Sequence, residues 1–166
     1  MKKTLSALAL AIAASLLNLP SAAMAMSSGS SSTSTATATA TAEPGLAAYN
    51  EGKKFVKQNN YKGAITKLLK SVGDNPNNAD ANNLLGYSYR KTGDFENALK
   101  YYQAALAIDP NHADAHEYIG EAYLEMGDLA KAEEHLATLQ ELCPTGCEQL
   151  EELNEEVVAY KAENGG

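Results

Sequence analysis

Pro76, Pro110 and Pro144 stand 34 residues apart, and several other columns of the sequence keep the same step. Gly52, Gly86 and Gly120 form one column, and Ala64, Ala98 and Ala132 another. Phe55, Tyr89 and Tyr123 make an aromatic column. Large apolar residues recur at Tyr61, Phe95 and Leu129, and again at Leu68, Tyr102 and Leu136. A fixed period of this size marks an array of like units, each of which buries its apolar face on its neighbours.

Within the middle unit, Leu85 and Tyr89 are four apart with Leu84 beside them, which gives one helical stripe. Lys91-Thr92-Gly93-Asp94 interrupts it, and Gly93 suits the left-handed turn that ends a helix. Phe95, Ala98, Leu99, Tyr102, Ala105 and Leu106 then run at three- and four-residue steps as a second helix. Asp109-Pro110-Asn111 closes it, since proline disfavours helix at the preceding residue and suits the start of the next one. Gly86, Ala98 and Ala105 let two helix axes approach closely, while Tyr89, Phe95 and Tyr102 fill the space beside them.

Leu85-Gly86, Tyr89, Gly93-Asp94, Ala98, Tyr102, Ala105 and Pro110 in a 34-residue helix–turn–helix unit resemble the tetratricopeptide repeat (TPR). Units 45–78, 79–112 and 113–146 share the resemblance, roughly three fifths of the chain. It implies an all-α, right-handed solenoid of three helix-turn-helix repeats plus a C-terminal capping helix. The chain departs from the family pattern at several places. Ala48, Asn82 and His116 stand where the family commonly has tryptophan. Glu51 replaces an apolar residue, and Asn59-Asn60 fills the first turn. Leu139 takes a small residue's place, which would reshape the third unit's contact with the C-terminal segment.

An open solenoid end needs a cap. After Pro144, Thr145 and Glu148 form a T-x-x-E pattern suited to boxing a helix start. Leu150, Leu153, Val157 and Tyr160 then make one apolar stripe, with Glu151, Glu152, Glu155 and Glu156 facing water. The pattern predicts a capping helix over 147–163, a tail over 164–166, and seven helices altogether.

The N-terminal part reads differently. Lys2-Lys3, the apolar run from Leu5 to Leu17, and Ala23-Met24-Ala25 are the three parts of a secretory signal peptide, which predicts a leader over 1–25 cleaved near Ala25. The run is shorter than the ~20 residues a spanning helix needs, so no stable membrane span is expected in the mature protein. Residues 26–44 are nearly all Ser, Thr, Ala and Gly, a linker too poor in apolar surface to offset its ordering entropy. The expectation is an exported bacterial protein, periplasmic or secreted. Without Lys2 and Lys3 the formal charge moves from −8 to −10, which argues against nucleic acid as a partner.

Cys143-Pro144-Thr145-Gly146-Cys147 places a turn between two cysteines, close enough for a disulfide in an oxidising compartment. A redox or soft-metal role is the alternative, with Cys147 in the first turn of the capping helix. His112 and His116 are four apart, but spacing sets no third ligand, so no metal is assigned. His135, beside Glu133 and Glu134, reads as part of a solvated face, and the paired glutamates read likewise. No nucleophile motif, phosphate loop or nucleotide fingerprint appears, so neither an enzyme nor a cofactor is expected.

In this family the first helix of each unit lines the concave side. By register that groove receives Tyr49, Asn50, Lys53, Val56 and Lys57 from unit one and Asn83, Tyr87, Arg90 and Lys91 from unit two. Unit three contributes Asp114, Glu117, Tyr118, Glu121 and Glu125. Its basic and acidic ends, with tyrosines between, predict a protein or peptide partner carrying acidic residues toward Lys53, Lys57 and Arg90 and basic ones toward the glutamates. Tyr49, Leu84, Asp114 and Tyr118 stand where chaperone-binding members carry their carboxylate clamp, so a C-terminal carboxylate is not the expected ligand. Self-association through the third unit and cap is the further alternative.

Overall fold

The computed structural model describes residues 43–165; the expected leader and the linker up to residue 42 lie outside them, as does Gly166. The described residues form seven helices and no strand: α1 (Leu46–Lys57), α2 (Tyr61–Asp74), α3 (Ala79–Lys91), α4 (Phe95–Ile108), α5 (Ala113–Glu125), α6 (Leu129–Leu142) and α7 (Glu148–Asn164). Each of the first three pairs is a hairpin, and α1, α3, α5 and α7 also touch in sequence order, so they lie side by side.

The turns explain the period. Asn59, Gly93 and Gly127 have φ of 56°, 82° and 82°, the left-handed region that a helix stop requires. Asparagine tolerates that region better than other residues with a side chain, which accounts for the departure in the first unit. The next residue caps the following helix each time. Asn60 Oδ1 accepts from Gly63 N at 3.0 Å, Asp94 Oδ1 from Asn97 N at 3.1 Å, and Asp128 Oδ1 from Lys131 N at 3.2 Å. Between hairpins, Asn78 Oδ1 accepts from Ala81 N at 2.9 Å and His112 Nδ1 from Ala115 N at 3.3 Å.

Two of the residues standing in for tryptophan, Asn82 and His116, have a visible task. Asn82 Nδ2 donates to the Pro76 carbonyl at 3.2 Å, and His116 Nε2 meets the Pro110 carbonyl at 3.0 Å. Each ties its helix to the preceding inter-repeat turn.

Glycine sets the spacing of the helices. A methyl group at Gly52 would stand 2.6 Å from Leu68 Cγ, and one at Gly86 would stand 2.6 Å from Tyr102 Cδ1. The third unit differs, because the residue pressed against Gly120 is Leu153 of α7, at 2.5 Å. Leu139, fully buried, joins Leu124, Leu136, Leu153 and Val157 in one apolar cluster, with Leu150 and Tyr160 packed on its edge. Full burial of a leucine contributes about 1.5–3 kcal/mol, so Leu139 and Leu153 together anchor the cap.

Two local expectations are corrected. Thr145 and Glu148 do not form a capping box: Cys147 is the residue before α7, and no side chain caps it. Cys147, bridged to Cys143 and two residues past Thr145, takes extended backbone at φ −154° and ψ 161°, and the helix starts at Glu148. The second correction concerns His135, which is not on a solvated face. Half-buried on α6, it stacks against Tyr123 with ring centroids 6.0 Å apart, and its Nδ1 lies 3.0 Å from His116 Nδ1. Because His116 Nε2–H is used by the Pro110 carbonyl, its Nδ1 accepts and His135 Nδ1–H donates. Burial first, and His116 second, push the His135 imidazole down to about 4.

Candidate functional site

The trough along α1, α3, α5 and α7 is floored by half-buried Tyr49, Leu84, Tyr87 and Tyr118. Tyr87 and Tyr118 have ring centroids 5.0 Å apart, and Tyr61 meets the edge of Tyr87 at 6.0 Å. Large rigid rings of this kind supply contact area at little entropic cost while keeping a polar tip. Lys53 lies 5.8 Å from the Tyr49 ring and Lys91 lies 5.3 Å from that of Tyr87.

The groove residues expected from register divide into free and engaged groups. Asn50, Lys53, Lys57 and Lys91 are exposed, and Tyr49, Tyr87 and Tyr118 are half-buried. Asn83, Arg90, Glu117 and Glu121 are buried instead. Arg90 is only 4% exposed, reaches from α3 to α5, and pairs with Glu121 and with Glu125, the latter at 2.6 Å. Its guanidinium also lies over the Tyr87 and Tyr118 rings, at 5.4 and 5.7 Å. Arg90 is therefore a cross-repeat bolt whose charge is already neutralised, and the basic end of the groove rests on lysines alone.

Glu117 and Glu121, expected by register as open groove charges, are not free either. Glu117 is 3% exposed. Burial, a hydrogen bond with Glu152 of α7 and the charge of Glu121 push its carboxyl up to about 9. Glu117 therefore holds a proton at neutral pH and donates it to Glu152. Glu121 is also raised by burial, an effect that Arg90 opposes, and Glu156 of α7 is raised by burial with Arg90 opposing in the same way. Glu152 and Glu156 escape the register argument because a capping helix is not expected to line the trough. In space α7 is a fourth first-helix, and its inner glutamates extend the trough.

Asp80 and Asp114, 34 residues apart and each in the first turn of its helix, also face the trough. Together with Tyr49, Lys53, Asn83 and Leu84 they line a cleft of about 210 Å³. Their shared period was the available signal for reading them as a pair. Cys143 and Cys147 are bonded, with Cα atoms 5.8 Å apart, inside the ordinary range for a disulfide. Among the described residues no group of three or more His, Cys, Asp or Glu side chains is placed to hold a metal ion.

A family model described as TPR repeat matches residues 52–93 and 86–127, and one described as tetratricopeptide repeat matches 114–146. The chain belongs to the tetratricopeptide-repeat family. No curated protein matches the sequence. Among solved structures, the first TPR of Spaghetti (RPAP3) bound to the HSP90 peptide SRMEEVD is 24% identical with a TM-score of 0.63. That match covers 70% of this chain and 92% of the other. The TPR2B domain of yeast Sti1, in its pHsp70 complex, is 17% identical with a TM-score of 0.67, covering 72% and 97%. MamA is 26% identical with a TM-score of 0.57, covering 60% of this chain and 58% of that one. These likenesses are of fold. They agree with a TPR array of three hairpins and a closing helix, and no helix among the described residues is long and apolar enough to cross a membrane.

Proposed function

We propose that this chain is an exported, non-enzymatic TPR adaptor that holds a segment of a partner protein in the trough formed by α1, α3, α5 and α7. The observation that carries the reading is the floor of half-buried Tyr49, Leu84, Tyr87 and Tyr118, drawn from the first helices of three units. A surface of this kind, aromatic at its base and rimmed by charge, is how proteins seat an extended chain or a helix. The similar first TPR of Spaghetti (RPAP3) is bound to an HSP90 peptide, which supports peptide capture as the use of the trough. The leader-like residues 1–25 support export, and the Cys143–Cys147 bridge suits an oxidising compartment.

A photo-crosslinking amino acid in place of Tyr87, compared with one in place of convex Ala107, tests the trough in living cells. Partner adducts from the Tyr87 position alone are expected. Equal labelling from both positions, or from Ala107 alone, removes the trough from the account. N-terminal sequencing of the cell-envelope form tests export, with Met26 as the expected first residue. An intact Met1 end would contradict it.

A further inference from the structure

Three hydrogen-bond acceptors line one cleft of the trough, near the starts of α3 and α5. Asp80 and Asp114 stand at its two sides, and Asn83 lies one turn along α3 from Asp80. Asn83 is 2% exposed, and its Oδ1 has no donor among the described residues. A buried acceptor in this state is a standing cost that an incoming N–H would remove. Asp114 Oδ1 accepts from Gln149 Nε2 at 2.7 Å, and Asp80 Oδ1 lies 3.2 Å from His112 Nε2, so each carboxylate keeps a second oxygen for a ligand. Lys53 is the one cation among the described residues on the cleft wall. Further along the trough Arg90 is consumed by Glu121 and Glu125, while Glu152 and Glu156 have no ion-pair partner among the described residues.

We propose that this cleft receives the basic side chain, arginine or lysine, of the partner segment, with its N–H groups directed to Asp80, Asp114 and the Asn83 amide oxygen. The inference rests on the trough being the docking surface and adds the chemistry of the guest. A carboxylate in the same place would face two aspartates lining one cleft. An apolar guest would leave the Asn83 oxygen unsatisfied. A guanidinium suits the site best, because its planar set of donors can serve several acceptors at once.

The test uses the purified chain and a capped nonapeptide of alanine and serine with one central arginine. Otherwise identical peptides carry lysine, citrulline or glutamate at that position. Titrations are followed by the NMR shifts of the Asn83 side-chain amide and of the backbone amides near Asp80 and Asp114. The arginine and lysine peptides are expected to saturate these shifts, citrulline to bind at least tenfold more weakly, and glutamate to bind not at all. Asp80→Asn combined with Asp114→Asn should weaken the arginine peptide at least tenfold with helix content unchanged, and Lys53→Glu, made separately, should tighten it. Equal shifts from arginine and citrulline, preference for glutamate, or no shift with arginine each overturn the proposal. Peptides selected from a random display library separate this inference from the docking reading. Binders that contact Tyr87 yet lack a basic residue overturn only the cleft assignment, whereas binders that ignore the trough overturn both.

Discussion

Glu117→Gln isolates the least expected group in the trough. The Glu117 carboxyl is buried between α5 and α7, with Glu152 as hydrogen-bond partner, and its folded value is pushed up to about 9. In the unfolded chain an ordinary glutamate ionises near 4.3. Between those values the folded state keeps one proton that the unfolded state has released. Stability from this group is therefore complete below about pH 4 and is lost as pH rises toward about 9. One proton corresponds to about 1.4 kcal/mol per pH unit, so from pH 5.5 to 8.0 the loss is about 3 kcal/mol at most. Glutamine keeps a donor for Glu152 and cannot ionise. The variant should match wild type near pH 5 and exceed it by about 2–3 kcal/mol at pH 8. Urea unfolding followed by circular dichroism at several pH values measures the difference. Glu121 and Glu156, also raised by burial, slope the same way in both proteins and cancel in the comparison. A wild-type-to-variant difference that stays constant with pH would show that Glu117 is ionised in the folded state, and the described burial would be wrong.

Other variants test the remaining supports. Gly86→Ala brings a methyl group 2.6 Å from Tyr102 Cδ1 and 3.0 Å from the Ala98 carbonyl oxygen, and should cost about 1–3 kcal/mol in urea melts. Tyr102→Leu in the same chain should cost less than the sum of the two single changes. Arg90→Met strands buried Glu121, and a loss of about 3–5 kcal/mol is expected, with most of it recovered by adding Glu121→Gln; no recovery would refute the pairing. Asn59→Ala at φ 56° should lower the unfolding free energy by about 1 kcal/mol while Asn59→Gly leaves it level or higher. Cys143→Ser with Cys147→Ser should cost roughly 2 kcal/mol or less and keep the helical circular dichroism signal, because the bridged loop is short.

The hairpins were legible because their punctuation is local. Gly93, Asp94 and Pro110 act on their own few residues, so the 34-residue columns translated directly into α3, α4 and the turns around them. The first turn was legible too, once Asn59 is recognised as a residue that tolerates a positive φ. What escaped was decided between helices. Glu117 and Glu121 read in sequence as open charges of the groove, whereas in the structure α7 lies on one side of them and Arg90 on the other, and both are buried. His135 carries glutamates as neighbours in the chain, yet its neighbours in space are His116 and Tyr123. The Thr145 cap does not form, and Cys147, bridged to Cys143, precedes the helix start at Glu148 instead. Sequence periodicity reports which face a residue takes on its own helix; it does not report which charge the next helix brings to that face.

The position of α7 joins stability to the character of the trough. Continuing the 34-residue step from Leu85 and Ile119 arrives at Leu153, and from Tyr89 and Tyr123 at Val157, both buried in α7. The cap is thus in register as a fourth first-helix, with no second helix paired to it among the described residues, and Val158 on it is 58% exposed. In an array held by nearest-neighbour contacts, the last repeat has one neighbour fewer than the others. Leu153 against Gly120, and Leu139 in place of a small residue, supply the missing contact. The same placement fixes where Glu152 and Glu156 point, because all three residues ride on one helix and cannot be turned independently of Leu153. Both glutamates are exposed, so beside its buried Leu153 and Val157 the cap turns carboxylates, not apolar surface, along the edge of the trough.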